Sequence, residues 1–253
     1  KALDPLGEDP GARERGSIIH AIFARFIEEG RDFEAPDAQR QLQVMAEAAF
    51  AGLDAIGERR DIWLRRFARA AELFLVFERG RNPEIATRKA EIAGNWTLPT
   101  LDGFRLTGRA DRVDLRHDGR LELIDFKTGS LPKPGDMKAF DAPQLLLEAA
   151  MAAAGGFEGI PAVASQALTY IKIGLGPDAF IVRPFTPAAG FDLRAAADEA
   201  LSRTQRHVRE LLLSDRLPMT AGVRPDQTRR YRGEFEHLAR TDEWTLNEGD
   251  DSE

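Results

Sequence analysis

Two short stretches of this sequence carry charged side chains in an order that could do chemistry: Gly108-Arg109-Ala110-Asp111-Arg112-Val113-Asp114 and Leu121-Glu122-Leu123-Ile124-Asp125-Phe126-Lys127-Thr128-Gly129. Side chains alternate between the two faces of a strand, so Asp125 and Lys127 point one way and Phe126 the other. A carboxylate and an ammonium thus meet at one strand end. Between the stretches lie His117-Asp118-Gly119. A three-residue hairpin loop with its glycine in the left-handed position would set Asp111 opposite Asp125. A two-residue turn at Asp118-Gly119 would instead pair Asp111 with Phe126 and send the carboxylates to opposite faces. Two carboxylates opposed on a sheet repel unless a cation or a shared proton compensates. A hard ion such as magnesium would do so: it takes oxygen ligands, keeps positions open for water and phosphate oxygens, and lowers the pKa of bound water. Lys127 could then hold an attacking water or stabilise charge developing on a phosphate. An isolated Asp-x-Lys is more commonly an ordinary ion pair at a strand end, so the argument rests on what surrounds it.

The surrounding elements can be read from periodicity. Ile18, Ile19, Ile22, Phe23, Phe26 and Ile27 form one stripe at helical spacing, predicting a helix over 16–29 that stops at Gly30. Two further helices are expected over 37–56 and 60–79, the second carrying Ile62, Trp63, Phe67, Phe74 and Phe77. From Glu84 the pattern changes to extended runs, over 86–98, 103–115, 121–126, 163–173 and 179–184. An alanine-rich helix over 140–154 ends at Gly155-Gly156, and a long one over 190–213 begins near Asp192. This order gives an α/β fold, a central mixed sheet flanked by helices. It reads as a single domain: a helical layer over 1–83 carrying His20, a core over 84–213, and a wrapping tail over 214–253.

Composition narrows the function classes. A chain of 253 residues with 43% hydrophobic content can bury a substantial core. No apolar run approaches the roughly 20 residues needed to span a bilayer and no signal pattern opens the chain, so a cytoplasmic protein without membrane association is expected. Having no cysteine, it can hold neither a disulfide nor a cysteine-ligated zinc or iron-sulfur site. A start at Lys1 rather than methionine suggests a piece of a longer protein. The net charge of −7 argues against a surface that coats nucleic acid throughout but allows a local basic track. Arginines cluster at 59–69, 203–209 and 229–232, where a solvated helix face or tail is the ordinary explanation.

Taken in order, Gly16-Ser17-Ile18-Ile19-His20 on the first helix, Gly108-Arg109-Ala110-Asp111 on one strand, Asp125-Phe126-Lys127-Thr128-Gly129 on the next and Gln144 at the head of the following helix resemble the motifs of RecB-like nucleases of the PD-(D/E)XK superfamily. The likeness covers residues 16–148. Leu3-Asp4-Pro5-Leu6 and the late His237-Leu238-Ala239-Arg240 with Trp244 look like AddB-type subunits of double-strand break repair. The resemblance implies a restriction-endonuclease-like core and a divalent-metal-dependent deoxyribonuclease, in particular an exonuclease. Its metal would be held by His20, Asp111, Asp125 and the backbone carbonyl of Phe126, with Lys127 catalytic beside Asp111 and Asp125. Magnesium and manganese both suit that set, the nitrogen ligand favouring manganese. Gln144 would contact the site or the DNA backbone, or else be an exposed amide at a helix start. Arg109 would touch phosphate or a structural carboxylate, and Glu91 is an outer ligand or faces solvent. The implied partners are DNA, single-stranded or at unwound duplex ends, and an AddA-type helicase-nuclease subunit.

Two departures stand out. Relatives of this kind place a tyrosine one helical turn after the glutamine, where this chain has Glu148. Several staple the C-terminal segment with an iron-sulfur cluster, so here Tyr231, Phe235, Leu238 and Trp244 are expected to hold the tail by packing. Rival readings are a free-standing RecB-like or CRISPR-associated nuclease, a non-catalytic DNA-binding or scaffold module, which would be expected to lose the four key side chains, and a small-molecule-binding α/β protein. The last would need a glycine-rich phosphate loop, and none is evident.

Overall fold

The computed structural model describes residues 12–51, 60–174, 178–187 and 190–214. Leu3 to Leu6, Arg59, the end of the second expected helix and the tail from residue 215 on, with Tyr231, Phe235, Leu238 and Trp244, lie outside the described residues. The chain divides into two compact units, residues 7–206 and residues 1–6 with 207–253. Of the second unit, the described part is a π-helical turn, Val208–Leu212, closed by the Leu213 N–H donating to the Val208 carbonyl at 3.0 Å.

In the larger unit the apolar stripe of the first helix does what its spacing predicts. Helix α1 (Ala12–Glu28) buries Ile19, Ile22, Phe23, Phe26 and Ile27, and Gly30 follows it at φ +62°. Helix α3 (Arg60–Arg81) packs on it through rings, Phe23 against Phe74 at 4.2 Å and against Phe67 at 5.6 Å, and α2 (Ala38–Ala51) meets α3 through Phe50 against Trp63 at 5.9 Å. The first two pairs are stacked and the third is edge-on, and contacts of both kinds add to the burial of ring area.

The strands are β1 (Ile85–Leu98), β2 (Phe104–Arg116), β3 (Leu121–Lys127), β4 (Ser165–Ile173) and β5 (Phe180–Phe185), laid side by side in chain order. Neighbours are antiparallel except β3 and β4, which run parallel. A parallel pair needs a crossover, and here it carries the short helix α4 (Pro134–Lys138) and helix α5 (Gln144–Ala153). Helix α6 (Leu193–His207) follows β5. Where the pattern suggested helix from residue 140, Phe140 sits at φ +62° and the helix starts only at Gln144.

Alternation divides the sheet cleanly. Ile124, Phe126, Ile171 and Ile173 join the core made by α1 to α3, while Val113, Leu121, Leu123, Leu168 and Tyr170 join Leu145, Leu146, Ala149 and Met151 of α5. The face beneath α3 also holds a charged cluster. Arg112 and Asp114 are fully buried and bonded to each other at 2.7 and 2.8 Å. Arg112 donates to both carboxylate oxygens of Glu78 at 2.5 and 2.8 Å, Arg81 lies 2.7 Å from Asp114 and pairs with Glu122, and Arg88 donates to Glu78 at 3.1 Å. Burial by itself would lower the pKa of Arg112, but Asp114 and Glu78 outweigh it and push it above the ordinary arginine value. Three arginines and three acids thus neutralise one another below a helix. Nothing in the spacing of these residues had marked them as a buried group.

Candidate active site

The hairpin joining β2 to β3 decides the register. Arg116 N–H donates to the Arg120 carbonyl at 2.9 Å, Gly119 N–H to the Arg116 carbonyl at 3.0 Å, and Gly119 sits at φ +79°. This is the three-residue loop over His117-Asp118-Gly119, with a left-handed position that glycine occupies without a Cβ penalty. Asp118 fastens it by accepting from the Arg120 N–H at 3.1 Å. Pairing then runs Leu115 with Leu121, Val113 with Leu123 and Arg112 with Ile124. Carried one residue further, it sets Asp111 beside Asp125.

The two carboxylates share the α5 side of the sheet but have different partners. Asp111 accepts the Phe126 N–H at 2.8 Å. Asp125 is 1% exposed, and Lys127 Nζ stands 2.8 Å from its Oδ1, to which it donates, and 2.7 Å from its Oδ2. Burial raises the pKa of Asp111, against the pull of the Phe126 N–H and of Lys127. Asp125 is pushed up to about 6 by burial and by the charge of Asp111, with Lys127 and the Gln144 amide opposing. The pair is therefore under-compensated, as charge repulsion in a dry site requires.

Above them, the first turn of α5 supplies Gln144, whose Oε1 accepts from Lys127 Nζ at 3.1 Å. Its Nε2 donates to Glu148 Oε1 at 3.1 Å. Glu148 is 6% exposed, its Oε2 has no hydrogen-bond partner among the described residues, and its pKa is pushed up to about 8 by burial, with Asp125 and Asp111 adding to that and Gln144 and Lys127 opposing. Tyr170, directly across the parallel ladder from Asp125, is buried with its hydroxyl likewise unpartnered, and burial raises its pKa. Sequence reasoning noticed Glu148 only as a departure and missed Tyr170. Alternation along β4, which places Tyr170 on the face of Leu168 and Lys172, was the available signal once β4 was paired with β3.

A family model described as the PD-(D/E)XK nuclease superfamily matches residues 2–234. The chain belongs to the PD-(D/E)XK nuclease superfamily. Its α/β architecture, a five-stranded mixed sheet among the described residues flanked by helices, is that expected of the fold. Similar to this nuclease-superfamily chain are an uncharacterized protein of Rickettsia bellii, 21% identical over 158 residues, and one of Rickettsia felis, 20% identical over 178 residues. The matches take in 62% and 68% of this chain but only 19% and 20% of those proteins, so the chain spans about a fifth of their length. Among solved structures, that of SSO0001 aligns at 14% identity and TM-score 0.29, covering 75% of this chain and 87% of the other. Protein VC1899 from Vibrio cholerae aligns at 12% identity and TM-score 0.28, covering 79% and 52%.

Within this superfamily member, the expected site residues fall into two groups. Asp111, Asp125, Lys127 and Gln144 are brought together. His20 reaches the same strand from the other side: α1 crosses the end of β3 at Gly16, where a Cβ would lie 2.6 Å from the Thr128 Oγ1, and the His20 ring packs 5.7 Å from that of Phe126. Burial and the nearby Lys127 lower its pKa to about 4, so the imidazole is neutral at ordinary pH, and its buried Nε2 has no partner among the described residues. Phe126 turns its ring into the α1–α3 core while its N–H serves Asp111. Arg109 stands apart, exposed, 3.5 Å from Glu91, which leaves the β1–β2 ladder at φ +47°. Among the described residues no three acidic or imidazole side chains form a ready-made metal cluster. In its chemistry the donor set nonetheless suits a hard divalent ion: two carboxylates whose mutual repulsion helps raise the pKa of Asp125, and an imidazole whose buried Nε2 has no partner among the described residues. No helix among the described residues is long and apolar enough to cross a membrane.

Proposed function

We propose that this chain is a divalent-metal-dependent deoxyribonuclease that hydrolyses phosphodiester bonds. The observation that carries the reading is the pair Asp111 and Asp125, desolvated and adjacent, with Lys127 on the same face of β3 and tied to Gln144. His20, Asp111, Asp125 and the Phe126 carbonyl would hold the ion, magnesium or manganese; bound there, it supplies a water of lowered pKa and a countercharge for the phosphate. The chain's own side chains do the rest. Lys127 is 34% exposed, so its ammonium can reach a water or a phosphate oxygen while Asp125 and Gln144 fix its direction. Neutral at ordinary pH, His20 offers a lone pair rather than a competing cation.

Superfamily membership and the ordered motifs support a finer reading: exonucleolytic trimming of double-strand break ends for recombinational repair, within a longer AddB-type protein working in the cytoplasm beside an AddA-type helicase-nuclease subunit. Gln144, and Arg109 if its pairing with Glu91 yields, would face the DNA backbone. The test is incubation of the purified chain with end-labelled single-stranded and blunt duplex DNA in magnesium, manganese or chelator. Cleavage should appear with either ion, favour the single strand and vanish with chelator. Chelator-resistant cleavage, or none with any ion even with the partner subunit present, would overturn the proposal.

A further inference from the structure

The hydrogen-bond chain does not stop at the glutamine. Lys127 is a pure donor, so the Gln144 oxygen must face it and the Gln144 NH2 must face away. Two acceptors compete for that NH2: Glu148 Oε1, which takes it at 3.1 Å, and Asp125, near enough that the amide lowers its pKa. If the NH2 swung onto Asp125 it would displace the ammonium from the carboxylate and lose the Lys127 contact. An ordinary partnership four residues apart on a helix would lie on the surface. Glu148 does not: it is 6% exposed, beside the buried Ala149, and leaves Oε2 unpartnered among the described residues. A buried carboxyl group with an unused oxygen is a costly choice for a helix otherwise built of leucine, alanine and methionine.

We propose that Glu148 is a positioning residue of this site: it anchors the Gln144 amide in one orientation and, through Gln144, sets the direction in which Lys127 presents its ammonium. The groups facing it are Gln144 on its own helix, Asp111 on β2, Asp125 and Lys127 on β3 and Tyr170 on β4. Burial in their company raises the pKa of Glu148 to about 8, and in either protonation state its Oε1 can accept from the amide. Glutamine at 148 can make the same contact; alanine or leucine cannot.

The inference rests on the nuclease reading for its catalytic consequence but not for its geometry, so two readouts are needed. In the metal-free protein, the Gln144 side-chain amide resonances should sit away from those of a free glutamine, stay there in Glu148→Gln and move to the free position in Glu148→Ala and Glu148→Leu. In the nuclease assay, Glu148→Ala should lower kcat by up to about 100-fold, as misplacement of a reacting group does, with KM for DNA and metal affinity little changed, while Glu148→Gln recovers most of that loss. Adding Glu148→Ala to Gln144→Ala should cost nothing further, because the residue acts through the amide. Glu148→Leu keeps the helix packed should the alanine variant melt early. Unmoved Gln144 resonances, or additive losses in the double variant, would overturn the proposal. If the resonances move as expected but the unmodified chain cuts no DNA with either ion even with the partner subunit present, the nuclease reading fails and the anchoring of Gln144 stands.

Discussion

Asp125 and Lys127 touch one another, yet the mechanism gives them different work, and substitution can separate the two. Asp125→Ala removes a carboxylate from the ion's site and should weaken metal binding and abolish cleavage together. Lys127→Ala should abolish cleavage while leaving metal affinity equal or slightly tighter, since a cation 2.7 Å from Asp125 Oδ2 is gone. Calorimetric metal titration beside a nuclease assay distinguishes this from a structural ion pair, for which either change would cost stability, since Asp125 is buried, and leave cleavage intact. Glu148 supplies a second test at this scale, in stability. Its folded pKa of about 8 lies above the usual 4.5, so the folded chain keeps a proton that the unfolded chain releases across that window. Stability must therefore fall as pH rises from 4.5 to 8, by at most about 1.4 kcal/mol per pH unit for one proton. Asp125, raised to about 6, and His20, lowered to about 4, titrate in the unmodified chain and in Glu148→Gln alike, so their own changes drop out of a comparison of the two. Between pH 6.5 and 8 in chelator, urea midpoints of the unmodified chain should thus decline more steeply than those of Glu148→Gln. Parallel profiles would mean that Glu148 is ionised in the folded chain.

At the scale of elements, the buried charges under α3 and the site under α5 are two faces of one register. A slip of one residue between β2 and β3 would turn Arg112 and Asp114 toward the leucines of α5 and carry Asp111 to the opposite face, so the same pairing that sets Asp111 beside Asp125 also seats Arg112 on Glu78. Arg112→Met would leave Glu78 and Asp114 with only Arg88 and Arg81 for compensation; we expect a loss of about 3–5 kcal/mol in urea unfolding. A change under about 1 kcal/mol would show that the cluster is not what fixes the sheet. This is also where reading the sequence was strongest and weakest. Stripes such as Ile19, Ile22, Phe23 and Phe26, and turn residues such as Gly119, act locally, and their consequences were legible. Glu78 and Arg112 lie 34 residues apart, and Glu148 comes near enough to Tyr170 for its charge to be felt only because α5 crosses from β3 to β4. Such partners are set by topology, which periodicity does not encode. Gly16 lies between these cases: it belonged to a recognised motif, but its reason, the close approach of α1 to Thr128, is visible only in three dimensions.

For the whole molecule, charge sets a bound on how the site can meet its substrate. The chain carries 42 acidic and 35 basic residues, and several of the basic ones are already committed, Arg81, Arg88 and Arg112 to the buried cluster, Arg69 and Arg203 to surface pairs with Glu72 and Glu199. Nucleic-acid affinity comes mainly from cations neutralising phosphates and falls with salt in proportion to their number. An acidic chain whose site offers Lys127 as its central cation should therefore bind DNA weakly by itself, and if the proposed AddA-type partner exists it should supply most of the backbone contacts. Fluorescence anisotropy with labelled single-stranded DNA should give affinity for the isolated chain no tighter than the roughly 10⁻⁴–10⁻⁶ M of non-specific binders at physiological salt, with a shallow salt dependence. With the partner present, affinity should rise and the salt slope steepen, each added phosphate contact contributing close to one unit of slope on B-form duplex and about 0.7 on a single strand. Tight, steeply salt-dependent binding by the chain alone would place a basic track on it instead, and would remove the need for a partner to deliver the strand to Asp125 and Lys127.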